Sequence, residues 1–298
     1  MKKFTGFLIC VSISILTGCG AGDSNRISYS NFFVFGASLS DTGNVFTATS
    51  GTDPGTSPSY YLGRWSNGPL WIDNVASSYG RSVNASLLGG TNYAYGGAMT
   101  CMISTVPSRV PDMCRQADDY LSYVSNKADF DAMYVIDASA VGNEIIEVLS
   151  ANVSSTQITT VAPKNVTDIL QSLYTAGARH FLIINVPDVG VTPLIQAYGP
   201  SAAATATNLS SSFNNALTVA LGNFAANHSN AHIKQADINN ILSNIESSTY
   251  DYGINNITDP CLNSGIACTS PENYLFWDNF HPTKKVGEII GSYVLGLI

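Results

Sequence analysis

Apolar and polar positions along the chain fall into two patterns. Short unbroken apolar runs bounded by Gly, Pro or Asn read as buried strands, and longer segments with apolar residues three and four apart read as amphipathic helices. Strands are predicted over residues 32–35, 92–95, 132–136, 180–186 and 232–236. Helices are predicted over 69–79, 115–126, 143–149, 166–176, 208–226, 238–245 and 284–297. Apolar strands alternating with helices predict an α/β fold in which a parallel sheet is covered on both faces. No internal repeat, long linker or second domain interrupts the pattern. In sheets of this kind ligands bind beyond the carboxyl ends of the strands. Ser38, Gly97 and Asn143 each stand just after a predicted strand.

The N-terminus departs from this pattern. Lys2 and Lys3 precede an apolar stretch, Phe7 to Leu16, that is too short to span a bilayer. It ends in Leu16-Thr17-Gly18-Cys19, which resembles a bacterial lipobox. Residues 1–18 are therefore expected to be a lipoprotein signal peptide, Cys19 the lipidation site, residues 19–31 a polar tether and residues 32–298 one domain. The bland alternative is cleavage by ordinary signal peptidase and secretion. Gly20 rather than Asp follows the cysteine, and the likeness to sorted lipoproteins points to the outer membrane, on its periplasmic or surface face.

Charge narrows the partners. The 298 residues carry a formal net charge of −8, and loss of Lys2 and Lys3 with the signal takes it to −10. An acidic chain without a basic cluster is a poor nucleic-acid binder, so a lipid anchor rather than charge would hold it at a membrane. Hydrophobic residues make up 45% and charged residues only 11%, enough for a sizeable core and against disorder. Nothing in the chain resembles an oligomer interface signature.

Once Cys10 leaves with the signal and Cys19 is lipidated, four cysteines remain: Cys101, Cys114, Cys261 and Cys268. Export to an oxidising compartment favours two disulfides. Of the three possible pairings the sequence-local one, Cys101–Cys114 and Cys261–Cys268, is expected. No C-x-x-C or clustered His accompanies them, so no metal and no cofactor is expected.

The densest run of small polar residues is FVFGASLSDTGN, Phe33 to Asn44, where an apolar strand stops at Gly36 and Ser38, Ser40, Asp41 and Asn44 follow. Far along the chain LFWDNFHPT places Asp278 three residues before His281. A serine hydroxyl becomes a nucleophile only when a base takes its proton. The base must be held in one tautomer by a carboxylate, and the oxyanion that forms needs preorganised donors. Ser38 at a helix N-terminus, His281 as base and Asp278 as its orienter would meet these needs. Ser40, two residues deeper into the turn, is the rival nucleophile and reads as a cap or surface hydroxyl. His180 reads as structural, and His228 and His232 as solvated. Asp73, Asp137 and Asp188 read as caps and loop carboxylates. Trp65, Trp71, Tyr93, Tyr95 and Trp277 are candidates for an acyl groove or for the core.

Taken in order, these motifs resemble the GDSL-type esterases and lipases of the SGNH hydrolase superfamily, in the branch of bacterial lipolytic enzymes and plant GDSL lipases. FVFGASLSDTGN resembles the block with the nucleophile, GGTNYAYGGA (Gly89 to Ala98) the block with a glycine oxyanion donor, MYVIDASAVGNEI (Met133 to Ile145) the block with an asparagine donor, and FWDNFHPT the last block. GRWSNGPLWID, LIINVPDVGVTP and YGINNITDPCL also match the branch. The resemblance implies a flavodoxin-like SGNH hydrolase fold and a serine ester hydrolase acting on lipid or short-chain and carbohydrate esters. It implies Ser38, Asp278 and His281 as catalytic residues, and Ser38, Gly97 (over Gly96) and Asn143 as the oxyanion hole. A phospholipase, or an acyltransferase that passes the acyl group to an alcohol, is a variant of the same site and acyl-enzyme.

Three departures stand out. Ala37 occupies the place of the family's namesake Asp, with Asp41 and Asn44 as substitutes for its local support. Gly142-Asn143-Glu144 replaces Gly-x-Asn-Asp, about two residues further from the strand, a shift that a bulge would absorb. Gly-x-Ser-x-Gly is absent, which argues against the α/β-hydrolase elbow. The first two support the competing reading, a degenerate SGNH domain that binds without catalysis.

Overall fold

The computed structural model describes residues 27–55, 59–106 and 109–298, together with Met1. The expected signal peptide and Cys19 lie outside these residues. Tyr29, in the stretch read as tether, is buried against Phe32 and Tyr79.

Four strands form the central sheet: β1 (Phe32–Phe35), β2 (Met133–Asp137), β3 (His180–Ile184) and β4 (His232–Ala236). All pair in parallel in the order β1-β2-β3-β4, in the registers Phe32↔Met133, Met133↔His180 and His180↔His232. Residues 92–95, expected as a strand, form no regular strand but with Thr91 run along the free edge of β1. Val34 N–H donates to Thr91 O, Tyr93 N–H to Val34 O and Tyr95 N–H to Gly36 O. Counted as second in the chain, this segment gives the order 2-1-3-4-5 of flavodoxin-like sheets.

Successive strand residues point to opposite faces, and the alternation separates two cores. Tyr134, Ile136, Phe181 and Ile183 pack with α3 (Met113–Tyr123), α4 (Val141–Leu149), α5 (Ala162–Ala176) and α7 (Pro200–Asn227). Phe32, Val34, Met133, Val135, Leu182 and Ile184 pack with α2 (Trp71–Ser78), α8 (Ile238–Ser247) and α10 (Lys284–Leu295). Both faces of β1, β2 and β3 are thus covered, which is why those strands read as unbroken apolar runs. Gly287 and Gly291, one turn apart on α10, face the Trp71 backbone, where added Cβ atoms would lie 3.4 and 3.2 Å from it. This lets α10 and α2 approach closely.

The helix of residues 208–226 begins earlier than expected, at Pro200. Pro at the first helical position costs no hydrogen bond, and the small residues Ala202 to Ala206 continue the turn without an apolar repeat to reveal it. Small β elements over residues 256–276 also escaped the pattern: β5 (Asn256–Pro260) pairs in parallel with β8 (Tyr274–Phe276), and β6 (Leu262–Asn263) pairs with β7 (Ile266–Ala267). Their half-exposed residues carry no clear period. Among the described residues no helix is long and apolar enough to cross a membrane.

The cysteines pair as expected. Cys101–Cys114 ties the loop after residues 91–98 to the start of α3, with Cα atoms 5.0 Å apart, and Cys261–Cys268 closes the β6–β7 hairpin at 4.9 Å. The first bridge closes a loop across 13 positions, so the double variant Cys101→Ser/Cys114→Ser is expected to lose about 2–3 kcal/mol of unfolding free energy. Urea unfolding of the two proteins measures this.

Candidate active site

Every element that carries a candidate residue meets at the carboxyl edge of the sheet. β1 ends at Phe35, and the chain turns through 38–40 with Ser40 N–H donating to Ala37 O at 3.0 Å. Ser38 is therefore not at a helix N-terminus as expected. The next helix, α1 (Asn44–Ala48), starts six residues later and is only five residues long. A Cβ at Gly36 would run into the Asp137 side chain, so glycine lets β1 leave the sheet directly over that carboxyl.

Asp41, Asn44 and Asn92 account for the polar density of this turn. The buried Asp41 carboxylate accepts from the N–H groups of Gly43, Asn44, Val45 and Gly96 at 2.8, 2.7, 3.2 and 2.9 Å. Burial raises its pKa, and those four N–H groups oppose the rise. Asn44 Nδ2 donates to Asn92 O and Ala94 O, and Asn92 Nδ2 donates back to Ser40 O. The turn that carries Ser38 and the loop that carries Gly96 and Gly97 are thus one hydrogen-bonded unit. Asp41 and Asn44 supply a carboxylate and an amide where Ala37 has neither.

Ser38 Oγ lies 2.8 Å from His281 Nε2. His281 Nδ1 lies 2.8 and 3.0 Å from the Asp278 carboxylate oxygens. An ionised carboxylate only accepts, so Nδ1 carries the proton and Nε2 presents its lone pair to the serine hydroxyl. Ser38 and His281 are 6% and 7% exposed, which places the contact away from bulk water. Asp278 Oδ1 also accepts the N–H groups of Phe280 and His281 at 2.8 and 2.7 Å. Burial works to raise the Asp278 carboxyl, but the His281 charge and these hydrogen bonds outweigh it and hold its pKa at about 2. The loop is closed by Trp277 N–H on His281 O at 2.7 Å and Thr283 N–H on Leu275 O at 3.0 Å.

The two candidate glycines are distinguished by their partners. Gly96 N–H is taken by Asp41, whereas no acceptor within the described residues takes the N–H of Gly97 or of Ser38. Gly97 has φ +81°, a left-handed conformation that favours glycine. Asn143 is the third residue of α4, and the two extra residues before it are absorbed not by a bulge but by a 3₁₀ turn, Ala138–Ala140. Asn143 Nδ2 donates to Ala98 O at 2.7 Å, one residue past Gly97. Its neighbour Glu144, fully buried, accepts from both Thr100 N–H and Thr100 Oγ1. The first turn of α4 therefore clamps the loop after Gly97 at two points.

Asn143 lines two openings. One is a narrow cavity of about 50 Å³ with Ser38 at its wall and Val186, Val189, Phe276, Phe280 and Ile290 around it. The other is a broader groove of about 780 Å³ that reaches Gly97, Met99 and Arg109.

Other expectations changed. Ser40 is no surface hydroxyl: it is fully buried and accepts from Trp71 Nε1 at 3.3 Å. Asp73 and Asp188 do cap local turns, accepting from Leu70 N–H and Gly190 N–H. Asp137 caps Ser139 but is wholly buried, and burial raises its pKa. Trp71 and Trp277 are core, while Trp65 lies tilted against His281 with ring centroids 5.0 Å apart. His180 stacks on His232 at 5.0 Å, both at the amino ends of their strands, and His228 stacks on Phe224 at 4.1 Å. Two contacts had no trace in the sequence: Glu144 on Thr100, and Tyr60, whose O–H donates to Asp278 Oδ2 at 2.9 Å from 218 positions away. Among the described residues no group of three or more His, Cys, Asp and Glu forms a metal-binding set.

The depressed Asp278 pKa carries a sign. A carboxyl that is more acidic folded than unfolded adds stability above its unfolded pKa of 3.8, and that stability fades as pH falls toward 2. The contribution is on the order of 2 kcal/mol. Asp278→Asn is expected to remove it, so that urea-unfolding free energies of the variant and the parent converge between pH 4 and pH 2.

The chain is similar to known proteins along most of its length. The chain is 25% identical to Lipase 1 of Photorhabdus luminescens, over 99% of this chain and 53% of that protein. It is 24% identical to GDSL esterase/lipase 5 of Arabidopsis thaliana, over 96% and 88%. It is 28% identical to phosphatidylcholine-sterol acyltransferase of Aeromonas hydrophila, over 65% and 54%. The chain thus spans about half the length of the two bacterial relatives. The family model of the GDSL-like lipases and acylhydrolases matches residues 32–294, from the first residue of β1 to α10, and the chain belongs to that family.

Proposed function

We propose that the protein hydrolyses carboxylic esters through an acyl-enzyme on Ser38. The observation that carries this reading is the unbroken hydrogen-bonded line from Ser38 Oγ through His281 to Asp278. His281 Nε2 takes the hydroxyl proton as Oγ attacks the ester carbonyl carbon. Asp278 stays ionised and steadies the imidazolium that forms. The negative charge that develops on the carbonyl oxygen is met by the N–H groups of Ser38 and Gly97 and by Asn143 Nδ2, which has a second N–H besides the one given to Ala98. The alcohol leaves with the proton from Nε2. Water then attacks the acyl-enzyme, gives its proton to Nε2, and the serine is released with the free acid.

The two openings divide the substrate. The narrow apolar cavity suits an acyl chain and the wider groove suits the alcohol portion. The substrate class is therefore acyl esters, of lipids or of short acids on sugars. Similarity to an acyltransferase supports a second outcome at the same intermediate, in which an alcohol replaces water. Anchoring through Cys19 at the outer membrane belongs to this proposal and rests on the lipobox. The reading as a non-catalytic binding domain has less support, because binding alone gives no reason for the Ser38–His281–Asp278 line.

Hydrolysis of p-nitrophenyl esters from acetyl to palmitoyl tests the reading. Ser38→Ala is expected to lose roughly 10⁴-fold or more in kcat, and Asn143→Ala about 10²- to 10³-fold. An organophosphonate is expected to label the parent and not Ser38→Ala. Failure of the parent to turn over any ester and to take the label would count against it.

A further inference from the structure

Residues 59–67 form a strap across the loop that carries Asp278 and His281. Trp277 Nε1 donates to Ser59 O at 2.8 Å, Ser66 Oγ donates to Pro282 O at 2.9 Å, and Lys284 N–H donates to Asn67 Oδ1 at 2.7 Å. Trp65, between these anchors, packs on His281 and against Gly96, where a Cβ would collide with its indole. Tyr60 is half-buried, edge-on to Trp65 at 6.3 Å, and its O–H reaches Asp278.

We propose that Tyr60 is a positioning residue: its O–H holds the Asp278 carboxylate turned toward His281. The inference rests on the ester-hydrolase reading of the site. Asp278 has four donors. Oδ1 takes the backbone N–H groups of Phe280 and His281, His281 Nδ1 lies 2.8 Å from Oδ2 and 3.0 Å from Oδ1, and Oδ2 also takes Tyr60 O–H at 2.9 Å. The backbone pair fixes the plane of the carboxylate from within its own loop. Tyr60 is the contact that reaches Oδ2 from another part of the chain, so it fixes the loop against the strap. Burial and then the Asp278 charge push the phenol's ionisation upward, which keeps it a donor. The titratable groups around the contact are His281, Asp278 and Tyr60 themselves, with Asp53 acting on Tyr60 from the groove side.

Removal of the O–H has a directional consequence. A carboxylate that loses a donor draws the Nδ1 proton more strongly and stabilises the imidazolium more. The base then gives up its proton only at higher pH, and the carboxylate is freer to turn away. Both effects act on the chemical step rather than on substrate binding.

The test compares the detergent-solubilised full-length parent with Tyr60→Phe, which keeps the ring on Trp65, and with Ser38→Ala. For Tyr60→Phe, kcat is expected to fall roughly tenfold, the scale of one hydrogen bond to a charged group. KM should hold, and the acid limb of the kcat/KM profile should move to higher pH. The deshielded Nδ1 proton resonance of His281, readable in a protein with or without turnover, should shift. Wild-type kcat, pH profile and resonance in Tyr60→Phe would overturn the inference. So would a lowered melting temperature with an unmoved profile and resonance, since that marks packing alone. Ser38→Ala separates the layers: if it still turns over ester, the reading of Ser38 fails. If it is inactive while Tyr60→Phe matches the parent, only the role of Tyr60 fails.

Discussion

The buried Asp41 carboxylate is the constraint on which the site depends. It ends no strand, yet it collects N–H groups from two segments more than fifty positions apart. A buried carboxylate is costly unless its oxygens are satisfied, so the same burial that raises its pKa obliges the Gly96 loop to stay in place. Once Gly96 N–H is committed to Asp41, the next N–H in the chain, that of Gly97, is left free. The free donor and the serine turn are thereby fixed with respect to each other without any direct bond between them.

The other half of the site is held by different means. Asp278 and His281 sit on a short closed loop that leaves β8, and the β5–β8 pair, the Cys261–Cys268 bridge and α10 fix its two ends. The three-residue spacing lets one carboxylate bind the backbone N–H of His281 and its ring nitrogen together. The strap of residues 59–67 packs on the outside of this loop, and through Trp65 it also touches the Gly96 loop. The strap is therefore the element that joins the His281 loop to the Gly96 loop. A family departure in one place, Ala37, is matched by support drawn from Asp41, Asn44 and Asn92 around it.

Much of the fold was legible because it rests on local periodicity. β1, β3 and β4 start where the apolar runs start, and the alternation of residues such as Phe32, Val34 and Phe35 between the two cores is a property of the extended backbone itself. Residues 92–95 were legible as extended but not as an edge segment, since pairing depends on β1. Pro200 to Thr207 and the small strands of 256–276 were not legible, the first because small residues show no face, the second because half-exposed strands show no period.

The chemistry divides the same way. By itself the sequence determined which residue types are present and in what order, and so the nucleophile, base and carboxylate candidates Ser38, His281 and Asp278, because short-range spacing and turn chemistry are properties of adjacent residues. Only the tertiary structure committed Gly96 N–H to Asp41, turned the displaced Asn143 back toward Ala98 through a 3₁₀ turn, buried Ser40 under Trp71 and brought Tyr60 to Asp278. Each of these is a hydrogen bond or a packing contact between residues distant in the chain. Such contacts exist only once the sheet has set the loops beside one another.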